Sequence, residues 1–208
     1  MAYHYTAAHA RRLQTLASDP TLRPSSVLER ICEREKPCIT PDDIRHNPSH
    51  AQKITELRKT AAYLLCFFTY SPKEIGHYLQ KDRSTIAIHI KIIRERMRSL
   101  GITPTFNDYL PAHILELSQA HETPTSDVLD RLCEPELFTI DDVQGARRSK
   151  RLAQLRQGAY YILYQRYNSL TEIGRRIGSR DHTTVLSGLR RITPHIKALM
   201  HPTMPIRA

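Results

Sequence analysis

Apolar residues along this chain recur three and four positions apart, the spacing of one face of an α-helix. In 150–163, Leu152, Leu155, Ala159, Ile162 and Leu163 form such a stripe. A turn at Tyr167–Asn168 follows. Ser169, with Glu172 three residues on, predicts a capping box that opens a short helix ending near Gly178. Ser179 and Arg180 make the next turn. Asp181 then caps a longer helix whose inner face reads Val185, Leu189, Ile192, Ile196 and Leu199. The same layout stands earlier, with Ser71 and Glu74 as the capping box and Ile86, Ile90, Ile93 and Met97 as the stripe. An amphipathic helix is predicted ahead of each layout, at about 5–17 and 109–121. The expectation is an all-α fold with few or no strands.

The layout recurs because the sequence does. SSVLERIC (25–32) returns as SDVLDRLC (126–133), and ITPDDI (39–44) as TIDDV (139–143). LRKTAAYLL (57–65) returns as LRQGAYYIL (155–163), SPKEIGHYL (71–79) as SLTEIGRRI (169–177), and DRSTI (82–86) as DHTTV (181–185). Five matches in one order predict two tandem units, 1–103 and 104–208. The linker falls at Leu100 to Asn107, where Gly101 and Pro104 stop the preceding helix.

Charge sharpens this picture. The chain of 208 residues carries a formal charge of +10. From Gly145 to Lys197 twelve Lys/Arg face two acids, whereas from Pro104 to Gln144 a single Arg faces nine acids. From Arg45 to Arg98 eleven basic residues face four acidic ones. Two separate basic blocks predict a polyanionic partner. With 40% hydrophobic and 25% charged residues, a soluble globular protein is expected. No apolar run suits a bilayer span and the N-terminus has no secretory h-region, so a cytoplasmic, nucleoid-associated location is expected. Cys32, Cys38, His46 and His50 form a C-x5-C-x7-H-x3-H series. Zinc fingers have two to four residues between cysteines and about twelve before the first histidine. A reduced, metal-free chain is therefore the expectation.

A short helix, a tight turn and a longer helix make a helix-turn-helix, whose second helix offers its N-terminal residues to the DNA major groove. Asp181, His182, Thr183 and Thr184 occupy that position. Asp can accept from cytosine N4, and a Thr methyl can pack on a thymine methyl. Arg175, Arg176 and Arg180 flank them, where guanidinium groups would grip phosphate.

The segment IGRRIGSRDHTTV (173–185) resembles the signature of the DNA-binding domain of DnaA, the bacterial replication initiator. ARRSKRLAQLRQGAYYIL (146–163) is similar to the basic loop and following helix of that domain. The resemblance covers 140–198 well and the first unit more loosely. It implies an all-α fold of two tandem helix-turn-helix domains of the DnaA domain IV, Trp-repressor-like type. It implies base contacts by Asp181, His182 and Thr183 in the major groove and by Arg148 in the minor groove. It also implies phosphate contacts by Thr184, Arg156 and Gln157. Arg147 and Lys150 beside Arg148 extend the phosphate set.

The first unit departs from the pattern. KDRST replaces RDHTT, the turn is one residue shorter, and His50 stands opposite Arg148. Arg83 and Ser84 become the base-contact candidates there, and Arg58, Lys59, Lys81 and Thr85 the phosphate candidates. Arg suits guanine O6 and N7, so the first unit is expected to read another sequence or to grip DNA with little base preference.

No glycine precedes a lysine, so the phosphate-binding loop of an ATPase is absent, and no room for an ATPase module is expected. No cofactor and no small-molecule substrate are expected. The Asp42–Asp43 and Asp141–Asp142 pairs suit helix capping better than metal binding. The leading reading is a non-enzymatic binder of double-stranded DNA acting as a replication or transcription regulator. A second is an adaptor whose first unit docks a protein partner, through the run AAYLLCFFTY (61–70), which also reads as a buried core helix. A small nuclease is a third, without a repeated acidic or histidine cluster to support it.

Overall fold

The computed structural model describes residues 7–33, 35, 39–46, 51–103 and 108–200. Among the described residues every regular element is helical. The chain divides into two compact units, Met1–Asp108 and Tyr109–Ala208. Unit 1 holds α1 (Ala7–Ser18), a short 3-10 turn (Pro24–Ser26), α2 (Val27–Cys32), α3 (Pro41–His46), α4 (Gln52–Phe67), α5 (Pro72–Leu79) and α6 (Arg83–Ser99). Unit 2 holds α7 (Leu110–Gln119), α8 (Thr125–Cys133), α9 (Ile140–Gln144), α10 (Lys150–Tyr167), α11 (Leu170–Arg176) and α12 (His182–Met200). Residues 104–107 of the linker, and Cys38 and His50 of the C-x5-C-x7-H-x3-H series, lie outside the described residues. Among the described residues no cluster of histidine, cysteine and carboxylate side chains is set to hold a metal ion. Among the described residues no helix is long and apolar enough to cross a membrane.

In unit 2 the long helix α10 packs against all five other helices. The stripe from Leu152 to Leu163 explains why, since all five of its residues are fully buried. In unit 1 α4 has the same central place, and the run 61–70 that reads as either core or docking face is core. Ala61, Ala62, Tyr63, Leu64, Leu65, Phe68 and Tyr70 are buried, and Cys66, Phe67 and Thr69 are half-buried. On α12 the inner face ends one turn earlier than its periodicity predicts. Val185, Leu189, Ile192 and Ile196 are buried, but Leu199 is 46% exposed.

Local signals set most helix starts. The Ser71–Glu74 box forms, with the Glu74 carboxylate accepting from the Ser71 N–H at 2.8 Å. The recurring Asp pairs do cap helices: Asp43 accepts from the Thr40 N–H and Asp142 from the Thr139 N–H. The Ser169 box forms only by half. Ser169 Oγ accepts from the Glu172 N–H, but the Glu172 carboxylate turns to Arg175 and Arg176, whose charge outcompetes a backbone N–H.

Unit 2 also buries an ion pair that charge counting assigns to the surface. Arg151 and Glu136 both have fully buried side chains, 2.6 Å apart from Nη2 to Oε1. The Tyr109 hydroxyl donates to the same carboxylate. Arg151 therefore ties the start of α10 to the α8–α9 connection and to the start of the unit. At the matching positions of unit 1, Lys53 pairs with Glu35 at 2.5 Å, with the lysine 47% exposed. Removing one member of a buried pair leaves an uncompensated charge, at a cost of about 3–5 kcal/mol. Glu136→Ala should lower stability by that amount in urea unfolding. The double variant Glu136→Leu/Arg151→Met should recover most of the loss.

Candidate nucleic-acid interface

The helix-turn-helix of unit 2 is held by backbone against backbone. The Arg180 N–H donates to the Gly174 carbonyl at 2.8 Å. A Cβ on Gly174 would lie 2.0 Å from the Arg180 carbonyl oxygen, so only glycine lets α11 and the turn close this far. The turn itself needs left-handed residues, Gly178 at φ 71° and Ser179 at φ 55°. Unit 1 makes the same approach between Gly76 and Lys81 but turns through one left-handed residue, Gln80 at φ 51°. This is the geometric meaning of its shorter turn.

Behind the turn stands the C-terminus of α9, whose last carbonyls have no helical partners. Arg156 Nε donates to the Val143 carbonyl at 2.7 Å, and its Nη2 donates to those of Asp142 and Gly145, both at 2.8 Å. Arg180 Nη2 donates to the Gly145 carbonyl as well, and Gln144 Nε2 to that of Arg176 at 3.1 Å. These bonds fasten the loop 145–149 to the turn before α12. In unit 1 Arg58 plays the matching part, donating to the carbonyls of Ile44 at 2.7 Å and Asp43 at 3.3 Å.

Four phosphate candidates have partners inside the protein in this arrangement, and two of them, Arg156 and Arg180, also line the groove between α10 and α12. Arg58 is 4% exposed and is committed to the end of α3. Lys59 pairs with Glu56 at 2.6 Å, which Arg96 also holds. Arg156 and Arg180 are tied to carbonyls, which the alignment of charges along a sequence cannot distinguish from a grip on phosphate. Three others are shared with carboxylates, Arg147 and Arg175 exposed and Arg176 half-buried. Arg147 lies 3.3 Å from Asp142 and over the Phe138 ring, while Arg175 and Arg176 hold Glu172 at 2.9 and 2.6 Å.

The first turn of α12 projects outward. His182, Thr183 and Thr184 are exposed, and Asp181 stands at the tip as N-cap. Asp181 Oδ1 accepts from the Thr183 N–H at 2.8 Å and from its hydroxyl, which holds the Asp181 carboxyl below its ordinary range. Oδ2 lies 3.5 Å from His182 Nδ1. Beside this turn a groove runs between α10 and α12. Arg148, Gln157, Thr183, Thr184, Ser187 and Arg191 line it. Arg148, Lys150 and Arg191 are exposed, and no hydrogen bond or ion pair engages them among the described residues. Arg191 and Ser187 are absent from the residues singled out in the sequence. Their signal is present there, because Thr183, Ser187 and Arg191 repeat every four residues on one helical face.

The floor of the groove is a close contact of Tyr160 with Gly188, where a Cβ would lie 2.6 Å from the ring. Unit 1 exchanges the sizes, with Ala62 and His89 at the matching positions. His89 is buried, and that burial, with Lys59 and Arg58 nearby, pushes its imidazole down to about 4. The first unit's base candidates Arg83 and Ser84 are exposed at the start of α6, with Lys81 and Thr85 half-buried beside them.

The Arg175 and Arg176 guanidinium groups hold the Glu172 carboxyl at about 2, below its ordinary 4.5. Its contribution to stability is complete above 4.5 and is lost as pH falls towards about 2. Glu172→Gln should flatten that part of the pH–stability curve in denaturant titrations. An unchanged acid limb would show that the carboxylate plays no such part.

Residues 126–192 match the family described as bacterial dnaA protein helix-turn-helix. The chain is 38% identical over 128 residues to the chromosomal replication initiator protein DnaA of Zymomonas mobilis, which covers 58% of this chain and 26% of that protein. It is 35% identical over 131 residues to that of Gluconobacter oxydans, covering 60% and 27%. Over 54 residues it is 48% identical to that of Ruegeria pomeroyi, covering 26% and 12%. The chain thus spans about a quarter of the length of the first two relatives. No solved structure matches. Residues 126–192, from α8 to the middle of α12, form one helix-turn-helix domain similar to that of the bacterial DnaA protein.

Proposed function

We propose that unit 2 binds double-stranded DNA with the first turn of α12 in the major groove and Arg148 in the adjacent minor groove. The observation that carries this reading is the exposed set His182, Thr183 and Thr184 beside a groove holding unpaired Arg148 and Arg191. His182 and Thr183 reach base edges, and Asp181 keeps Oδ2 for a cytosine amino group while Oδ1 caps the helix. Thr184, Gln157, Lys150 and Arg191 face the phosphates, and Arg147, Arg175 and Arg176 add charge at the rim. A narrow A·T minor groove concentrates negative potential and favours Arg148.

Unit 1 is the second module of a tandem binder. Its helices follow the same order, and its exposed Arg83 and Ser84 replace His182 and Thr183. Two linked modules raise avidity when both reach their sites at once. The similarity to chromosomal replication initiators supports a role in control of replication or transcription, without catalysis by the chain itself.

Selection from random duplexes by the full chain should return a defined box for unit 2. His182→Ala should relax one or two positions of that box at a cost of about 1–3 kcal/mol. Arg191→Ala should instead weaken binding to all sequences and reduce the slope of log affinity against log salt by about 1. Selection that returns no consensus, or a consensus indifferent to His182, would overturn this reading.

A further inference from the structure

The two outward helices differ along one row. On α12 the row Thr183, Ser187, Arg191 lines the groove of unit 2. On α6 the same row reads Ser84, Ile88, Ile92. Ile88 is 57% exposed, and it contributes nothing to the core face of α6, which is Ile86, Ile90, Ile93 and Met97. An exposed isoleucine in this row can contribute to binding only by meeting an apolar group of the partner. Its helix is cationic: Arg83, Lys91 and Arg94 are exposed on α6 and Glu95, 3.8 Å from Lys91, is the acid among them. The counterpart is therefore an apolar group carried by a polyanion. The thymine C5-methyl is the apolar group that DNA presents in its major groove. Arg83 stands five residues before Ile88, at the tip of the same helix, where a guanidinium can pair with guanine O6 and N7.

We propose that unit 1 reads thymine methyl groups through Ile88, next to a guanine read by Arg83, so that its box differs from that of unit 2. This rests on the reading of the chain as a tandem binder of double-stranded DNA. Ser187, at the matching position of unit 2, carries no branched apolar side chain, so a methyl contact from this position belongs to unit 1 alone.

Selection with the full chain identifies the box of unit 1 as the one whose bases change in the Arg83→Ala variant. Within that box, replacing a single thymine by deoxyuridine removes one methyl group and alters nothing else. At one or two positions this should lower affinity roughly three- to fivefold, the value of one buried methyl. Ile88→Ala should make thymine and deoxyuridine equivalent there, and should melt at the temperature of the parent chain because the side chain is exposed. Equal affinity for both bases throughout an Arg83-dependent box would overturn methyl reading while leaving DNA binding by unit 1 intact. The absence of any Arg83-dependent box would overturn base reading by unit 1 itself, and Ile88 would then mark a face for a protein partner.

Discussion

The outward end of unit 2, from α11 to the start of α12, depends on how the C-terminus of α9 is satisfied. That helix is five residues long, and its last carbonyls point towards the turn that precedes α12. Arg156 from α10 and Arg180 from the turn converge on them, and the Gln144 side chain returns a bond to the Arg176 carbonyl. Buried carbonyls without partners are costly, so these donors cannot leave without loss of structure. The loop carrying Arg148 is thereby set at a constant distance from the helix carrying His182 and Thr183. Gly174 completes the constraint by letting α11 meet the turn without an intervening Cβ.

This constraint redistributes the basic block. Arg151 is buried against Glu136, Arg166 donates to the carbonyls of Thr123 and Ala120, and Arg156 and Arg180 hold α9. Arg175 and Arg176 share Glu172. Arg148, Lys150, Arg190, Arg191 and Lys197 are exposed, and no hydrogen bond or ion pair engages them among the described residues. They lie along the groove and around α12, so the free positive charge is more localised than the sequence block. A guanidinium serves either use well, since its fork of donors fits two carbonyls as readily as a phosphate.

Unit 1 shows what happens to the same frame when its groove is changed. The frame persists: Arg58 holds the end of α3, Gly76 admits the close turn, and Ser71 and Glu74 cap α5. The contents differ. A buried neutral His89 replaces the Gly188–Tyr160 contact, Lys59 is bound to Glu56, and Ile88 takes the place of a serine. The frame residues stand on α4 and α5, whereas Ile88 is exposed on α6, so the two sets can diverge separately.

Periodicity and capping residues alone determined the helices, since both act within a few residues of chain. Ser71 with Glu74 and the stripe from Leu152 to Leu163 are cases in point, and the charge blocks pointed to a polyanion on the same local evidence. The outward position of His182 and Thr183 was equally legible, because it follows from the start of one helix and its apolar face. What only the tertiary structure decided is which charges remain available. Whether Arg156 meets a carbonyl or a phosphate depends on where α9 ends relative to α10, thirteen residues apart from Val143 to Arg156. Whether Arg151 is at the surface depends on Glu136 and Tyr109, distant in sequence and brought together only by packing. The exposed Leu199 belongs to the same class. Each is settled by competition among partners that become neighbours only once the helices have packed.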